Sequence, residues 1–201
     1  MLFDMMTYYR KRIRFFILCL LCLLLANPVY ADENLWEKLQ QQPNMIVFIR
    51  NAESTGNKDG TNMLAWDKTG QCQGESTLTE IGKAQAKKIG ELFKQHDVNP
   101  VVISSPMCRC KQTAELAFGQ FITSPPLIQA NSSDLEQQAL FQSRATELML
   151  KHKGQTPIVF INHRPNINSL TMEMISLGDL LVGTILDDGE IEVLGKMHLP
   201  D

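Results

Sequence analysis

Short apolar runs alternating with helix-patterned segments predict an α/β fold. The expected form is a three-layer sandwich, with a mostly parallel central sheet, helices on both faces and a C-terminal antiparallel hairpin. Three observations carry this. The runs "NMIVFIR", "PVVISS" and "PIVFIN" are continuously apolar, as strands covered on both faces are. The segments between them carry helix caps and a helical period. Near the end, "LLVGTILDDGEIEVLGKM" places Asp188-Gly189 between two strand-like stretches, the signal of a hairpin.

Taken in order, a short helical lead-in around "LWEKLQQQ" precedes the first strand, which ends in Arg50-Asn51. The polar stretch from Ala52 to Thr77 is too long for a simple connector and is expected to build part of a binding site. Thr79 caps the next helix, whose Ile81, Ala84, Ala86, Ile89, Leu92 and Phe93 fall near one face. After "PVVISS", the segment "PMCRCKQTAELAFG" opens with Pro106, suited to a first helical turn, and stops at Gly119. "LIQA" is a weak strand, and a helix is expected from about Asp134 to Lys151. "PIVFIN" then leads into "HRPNINSLTMEMISLG", a loop and helix.

A chain of 201 residues, 44% of them hydrophobic, has material for one domain with a sizeable core and hardly for two. Residues 1–31 stand apart. Arg10, Lys11, Arg12 and Arg14 precede "FFILCLLCLLLA", and "NPVYA" offers Ala31 before a cut, the layout of a secretory signal peptide. The apolar run is shorter than the ~20 residues of a spanning helix, so no stable membrane span is expected once the leader is cleaved. The domain is then 32–201, periplasmic or secreted, with 15 basic against 21 acidic residues and a net charge near −6. That balance excludes a general affinity for nucleic acid, so an anionic ligand must be held by local basic groups. No cofactor is called for. The cysteines of this domain, Cys72, Cys108 and Cys110, suggest one disulfide and one free thiol in an oxidising compartment. A zinc site is the weaker alternative, because Cys108 and Cys110 lack the usual two-residue gap.

In a largely parallel sheet, the loops at the carboxyl ends of the strands converge on the ligand site. Arg50-Asn51, Ser104-Ser105 with Arg109, and Asn162-His163-Arg164 follow the three strong strands and are expected to meet there. Two guanidinium groups suit a phosphate or carboxylate, and Arg109 lies in a first helical turn where the dipole favours negative charge. His163 occupies the equivalent place on the third strand.

The motifs resemble those of the histidine phosphatase superfamily, the phosphoglycerate mutase-like proteins, over nearly the whole domain. The stretch "RNAESTGN" stands where that family has Arg-His-Gly or Arg-His-Ala followed by Glu, Ser or Thr and an Asn; "QGESTLTEIGKAQA" matches its next helix start. "SSPMCRCKQTA" carries its SSP-x-x-R-x-x-QTA signature in full, and "IVFINHRPNI" its later strand ending in His. The resemblance implies a phosphate-binding set of Arg50, Asn57, Arg109 and His163. It puts Asn51 where the family's nucleophilic histidine forms a phosphohistidine. An amide nitrogen, its lone pair delocalised into the carbonyl, donates hydrogen bonds but does not attack phosphorus. The expected function is an exported protein that binds a phosphate or phosphomonoester ligand and has lost most or all phosphohistidine catalysis. An active phosphomonoesterase using water or His163 is the second reading, and a non-catalytic envelope interaction domain the third. Glu75, Asp134 and Glu136 lie where the family places substrate-side acids and are the general-acid candidates. A bridge from Cys72 to Cys108 or Cys110 would tie the long loop over the pocket. With no room for a large cap domain, that pocket is expected to be broad and open.

Overall fold

The computed structural model describes residues 29–59, 62–131, 133–154 and 157–199, so nearly all of the leader expected at residues 1–31 lies outside the described residues. The chain divides into two units, Met1–Asn34 and Leu35–Asp201, of which the second holds the sheet. A helix α1, Val29–Gln41, leads into it.

Strand β1, Met45–Arg50, is buried along its apolar length because both of its faces are covered. Met45, Val47 and Ile49 enter one core cluster with Leu35, Trp36 and residues of helices α3 (Glu80–Gln95) and α4 (Cys108–Phe118). Ile46 and Phe48 enter the other, against helices α5 (Leu135–His152) and α6 (Arg164–Thr171). The period of two thus shares one strand between two layers. Among the described residues, six strands form one sheet in the order β3-β2-β4-β1-β5-β6. The others are β2 (Val101–Ser104), β3 (Ile122–Thr123), β4 (Ile158–Asn162), β5 (Leu180–Ile185) and β6 (Ile191–Met197). β3, β2, β4 and β1 run parallel, while β5 pairs antiparallel with β1 and forms the hairpin with β6. The α/β sandwich with its closing hairpin is therefore observed as expected. Among the described residues no helix is long and apolar enough to cross a membrane.

Local corrections have physical causes. "LIQA" is no strand: Leu127 ends a 3-10 turn, Pro125–Leu127, and the parallel edge strand is the earlier pair Ile122–Thr123. Paired prolines favour the turn and supply no amide for a ladder. Pro106 lies before α4, whose N-cap position is Met107. On α3 the buried stripe is Gly82, Ala86, Ile89 and Phe93, while Ile81 and Ala84 are exposed. Gly82 sets this rotation, since the helix approaches Glu53 so closely that a Cβ there would lie 1.9 Å from the Glu53 carbonyl oxygen.

The long loop contains a four-residue helix α2, Gly56–Asp59, and is fastened at its far end by a disulfide between Cys72 and Cys108, 36 residues apart. Cys110 is the free thiol, buried, with its pKa pushed up to about 12 first by desolvation, so it is a protonated core group. A cross-link closing a loop of this length is worth about 4 kcal/mol in the chain-entropy account. Replacing Cys72 and Cys108 together by Ser is expected to lower the unfolding free energy by about 3–4 kcal/mol in a urea titration. Non-reducing peptide mapping should recover the 72–108 pair; a 72–110 pair would show the fastening to be wrong.

Candidate functional site

The register of the parallel strands gathers the site. Arg50 of β1 lies opposite Asn162 of β4, and Ser104 of β2 opposite Ile161, so the three strands end at one level. One residue on, the Asn51 amide donates to Asn162 O at 3.0 Å and the Ser105 amide to Ile161 O at 3.0 Å. Asn51 and Ser105 are thereby fixed by backbone at the sheet's carboxyl edge, His163 follows β4 with its amide donating to Asn162 Oδ1 at 2.9 Å, and all three are buried.

His163 Nε2 lies 2.8 Å from Ser105 Oγ and its Nδ1 lies 2.9 Å from Arg109 Nη2. A guanidinium only donates, so Nδ1 must accept. The neutral ring then carries its proton on Nε2 and donates it to Ser105. Burial first, then the Arg109 and Arg50 charges, hold His163 well below its usual pKa. Neither ring nitrogen keeps a free lone pair, which argues against His163 as a replacement for the missing nucleophile. It also sets a pH dependence. The unfolded ring takes a proton below about 6.5 that the folded ring refuses, so stability is whole above that pH and is lost as pH falls toward the folded value. Unfolding midpoints should decline from pH 6.5 to 5, and His163→Gln should remove that part of the slope; an unchanged slope would count against it.

Arg109 is fully buried, in the first turn of α4. The two hydrogens of its Nη2 are shared among three acceptors, Gln129 Oε1 at 2.7 Å, Met63 O at 3.0 Å and His163 Nδ1, while Nε and Nη1 are buried without a hydrogen-bond partner. Desolvation lowers its pKa, opposed by Cys110 and Glu75. Buried donors kept this way suit an acceptor brought from outside the chain.

Arg50 is half-buried, with Nη1 donating to Ile175 O at 3.1 Å. Its pKa falls to about 10, through burial first and then the like charge of Arg164, with Asp179 opposing. Arg50 and Arg164 both line a cavity of about 150 Å³ with Asn51, Asn57, Met63, Gln129 and Pro165. Among the described residues no carboxylate lines it, and the two guanidinium groups favour an anion. Asn51 Nδ2 donates to Ala52 O at 3.0 Å, and Asn57 Oδ1 accepts from Ser54 Oγ at 2.8 Å. Arg109 and His163 do not line the cavity; Gln129 and Met63, both bonded to Arg109, do.

The structure therefore brings Arg50, Asn51 and Asn57 to one cavity, with the bonded pair Arg109–His163 buried beside it. It gives the expected acids other tasks. Glu75 is buried, and its carboxylate accepts from the amides of Cys108 at 2.7 Å and Asp67 at 2.8 Å, so it caps α4 and folds the loop. Asp134 is the N-cap of α5, accepting from the Gln137 amide, and Glu136 is an exposed residue in the same first turn. None of the three lines the cavity. Nor is the cavity broad: the loop bearing Met63 narrows it.

Sequence reasoning placed Ser105 and Arg164 at strand ends without giving either a task, and it gave no role to Gln129 or Met63. Arg164 had a signal, since a cation directly after His163 at a strand's carboxyl end shares its placement. Gln129 follows an irregular turn, and Met63 acts through its carbonyl, which every residue possesses.

Residues 46–144 match the model of the histidine phosphatase superfamily (branch 1). Over 76 residues the chain is 37% identical to the 2,3-bisphosphoglycerate-dependent phosphoglycerate mutase of Bifidobacterium longum (strain DJO10A), covering 36% of this chain and 27% of that protein. The chain thus spans about a quarter of the length of the curated relatives it matches. The solved phosphoglycerate mutase from Thermus thermophilus superposes with a TM-score of 0.58 at 18% identity, over 78% of this chain and 99% of that one. The protein histidine phosphatase SixA, solved with tungstate, gives 0.55 at 16% identity, over 76% and 96%. At these identities the likeness is one of fold. Residues 46–144 are thus similar to the histidine phosphatase superfamily, and the chain shares the fold of these structures.

Proposed function

We propose that this is an exported protein of the histidine phosphatase fold that binds a phosphate or phosphomonoester ligand and has lost most or all phosphohistidine chemistry. The observation that carries the reading is Asn51. It stands at the end of β1, buried, lining a cationic cavity, and its side chain offers an amide where a nucleophile would be required. Arg50 and Arg164 supply charge at that cavity, and Arg109 contributes buried donors beside it. Binding survives the substitution because donors and charge remain, whereas covalent turnover needs a nucleophilic lone pair that none of the described lining side chains provides at neutral pH. Export follows from the leader-like residues 1–31 and suits the 72–108 disulfide.

Tungstate or phosphate added to the purified protein tests this as a thermal shift. At a hundred times the dissociation constant, binding stabilises by about 2.7 kcal/mol. Arg109→Met should abolish the shift. It should also lower the stability of the ligand-free protein by about 2–4 kcal/mol, because Gln129 Oε1, Met63 O and His163 Nδ1 lose their donor. No shift with either anion in the unaltered protein would sink the reading.

A further inference from the structure

We propose that the apolar cleft beside the anion cavity holds the organic body of the phosphorylated ligand, and that this body is a flat apolar group of aryl type. The inference rests on the phosphate reading above and names the substrate class for that same site. A cavity of about 150 Å³ holds an oxyanion and little more, so a phosphomonoester must place its remaining atoms elsewhere. A second cleft, of about 360 Å³, shares Gln129 as a wall with the first. That volume lies in the range of small-molecule sites.

The cleft runs between the 3-10 turn and α5 and is lined by Pro125, Pro126, Ile128, Leu140 and Phe141. Its polar lining groups are Gln129, which also lines the anion cavity, and the exposed Gln137 and Arg144 of α5. Gln137, Leu140, Phe141 and Arg144 fall at helical spacing, so one face of α5 is turned to the cleft. Paired prolines make the opposite wall rigid. Leu140 is 58% exposed, a large apolar side chain left in water at the cleft. A mostly apolar lining that meets the anion cavity at Gln129 suits an aryl phosphate better than a polyhydroxylated one, most of whose hydroxyls would lose water without gaining partners. Gln129 joins the two parts, because the amide that separates the cavities also accepts from Arg109.

The test compares phosphate, methylphosphonate and phenylphosphonate by calorimetry on the full-length protein and on Leu140→Asp, with Ile81→Asp on α3 as a control at another exposed apolar position. The unaltered protein and the control should bind phenylphosphonate about tenfold or more tightly than methylphosphonate. Leu140→Asp should remove most of that preference while holding the methylphosphonate affinity within about twofold. Equal affinity for both phosphonates in the unaltered protein, or a preference that survives Leu140→Asp, overturns the cleft assignment and leaves the phosphate reading standing. Binding of none of the three anions overturns both. If Leu140→Asp changes the sedimenting mass and not the preference, the cleft is a contact between chains and the proposal fails.

Discussion

Asn51→His is expected to convert the protein into a measurable phosphomonoesterase, raising the release of p-nitrophenol from p-nitrophenyl phosphate by ~10³-fold or more over the unaltered chain. The magnitude follows from what a missing nucleophile costs when the rest of a site is in place. Position 51 is held by the Asn51 amide on Asn162 O, so an imidazole there would project from a fixed point into the lining that Arg50 and Arg164 share. The gain should depend on the leaving group. Among the described residues no carboxylate lines the cavity, so p-nitrophenolate, which departs without a proton, should be released far faster than an alkoxide, which needs a general acid. Acid-labile phosphate on the protein should appear with the activity, and His163→Ala added to Asn51→His should remove it. If the unaltered protein already hydrolyses the ester robustly and His163→Ala abolishes that, catalysis never depended on position 51 and the proposed function is wrong.

Gly82→Ala should be the most destructive small substitution for the fold, costing about 4 kcal/mol or more, or preventing accumulation of folded protein. In an ordinary helix the change from Gly to Ala stabilises by up to about 1 kcal/mol. Here the added carbon would lie 1.9 Å from Glu53 O and 2.9 Å from Glu53 C, and both neighbours are backbone. Moving them disturbs the Thr79 amide, which donates to Glu53 O, and Thr79 Oγ1, which donates to Glu53 Oε1 at 2.6 Å and caps α3 through the Gly82 amide. Glu53 lies two residues past Asn51, so a tolerated variant should also weaken tungstate binding. Gly82→Ala with unchanged urea midpoint and unchanged tungstate shift would mean that the helix is free to move away.

Much of this was legible in the sequence. The buried strands announced themselves because burial on both faces demands unbroken apolar runs, and Arg50, Asn51 and His163 were found by their position at strand ends. Three things were not legible. The buried face of α3 is set by a backbone contact of Gly82, which outweighs the apolar count that favoured Ile81. Glu75 stands near the family's acidic position in sequence, yet its carboxylate turns to the amides of Asp67 and Cys108, a choice made by a loop whose path depends on the disulfide. Gln129 reaches Arg109 from beyond an irregular turn, where no period marks a side chain's direction.

The sheet order has a consequence in time. Among the described strands β1 is the earliest in the chain, and it takes the inner position between β4 and β5. Its partner for Ile46 is Ile158, 112 positions later, and its other neighbour ends at Ile185. Pairings that close such long loops are slow to form, because the chain entropy is lost before the contacts are gained. β1 therefore waits, apolar and unpaired, while more than a hundred residues are made. That interval keeps the chain threadable for the proposed translocation, and it is also when "MIVFI" is most exposed to aggregation and to capture by a holding chaperone.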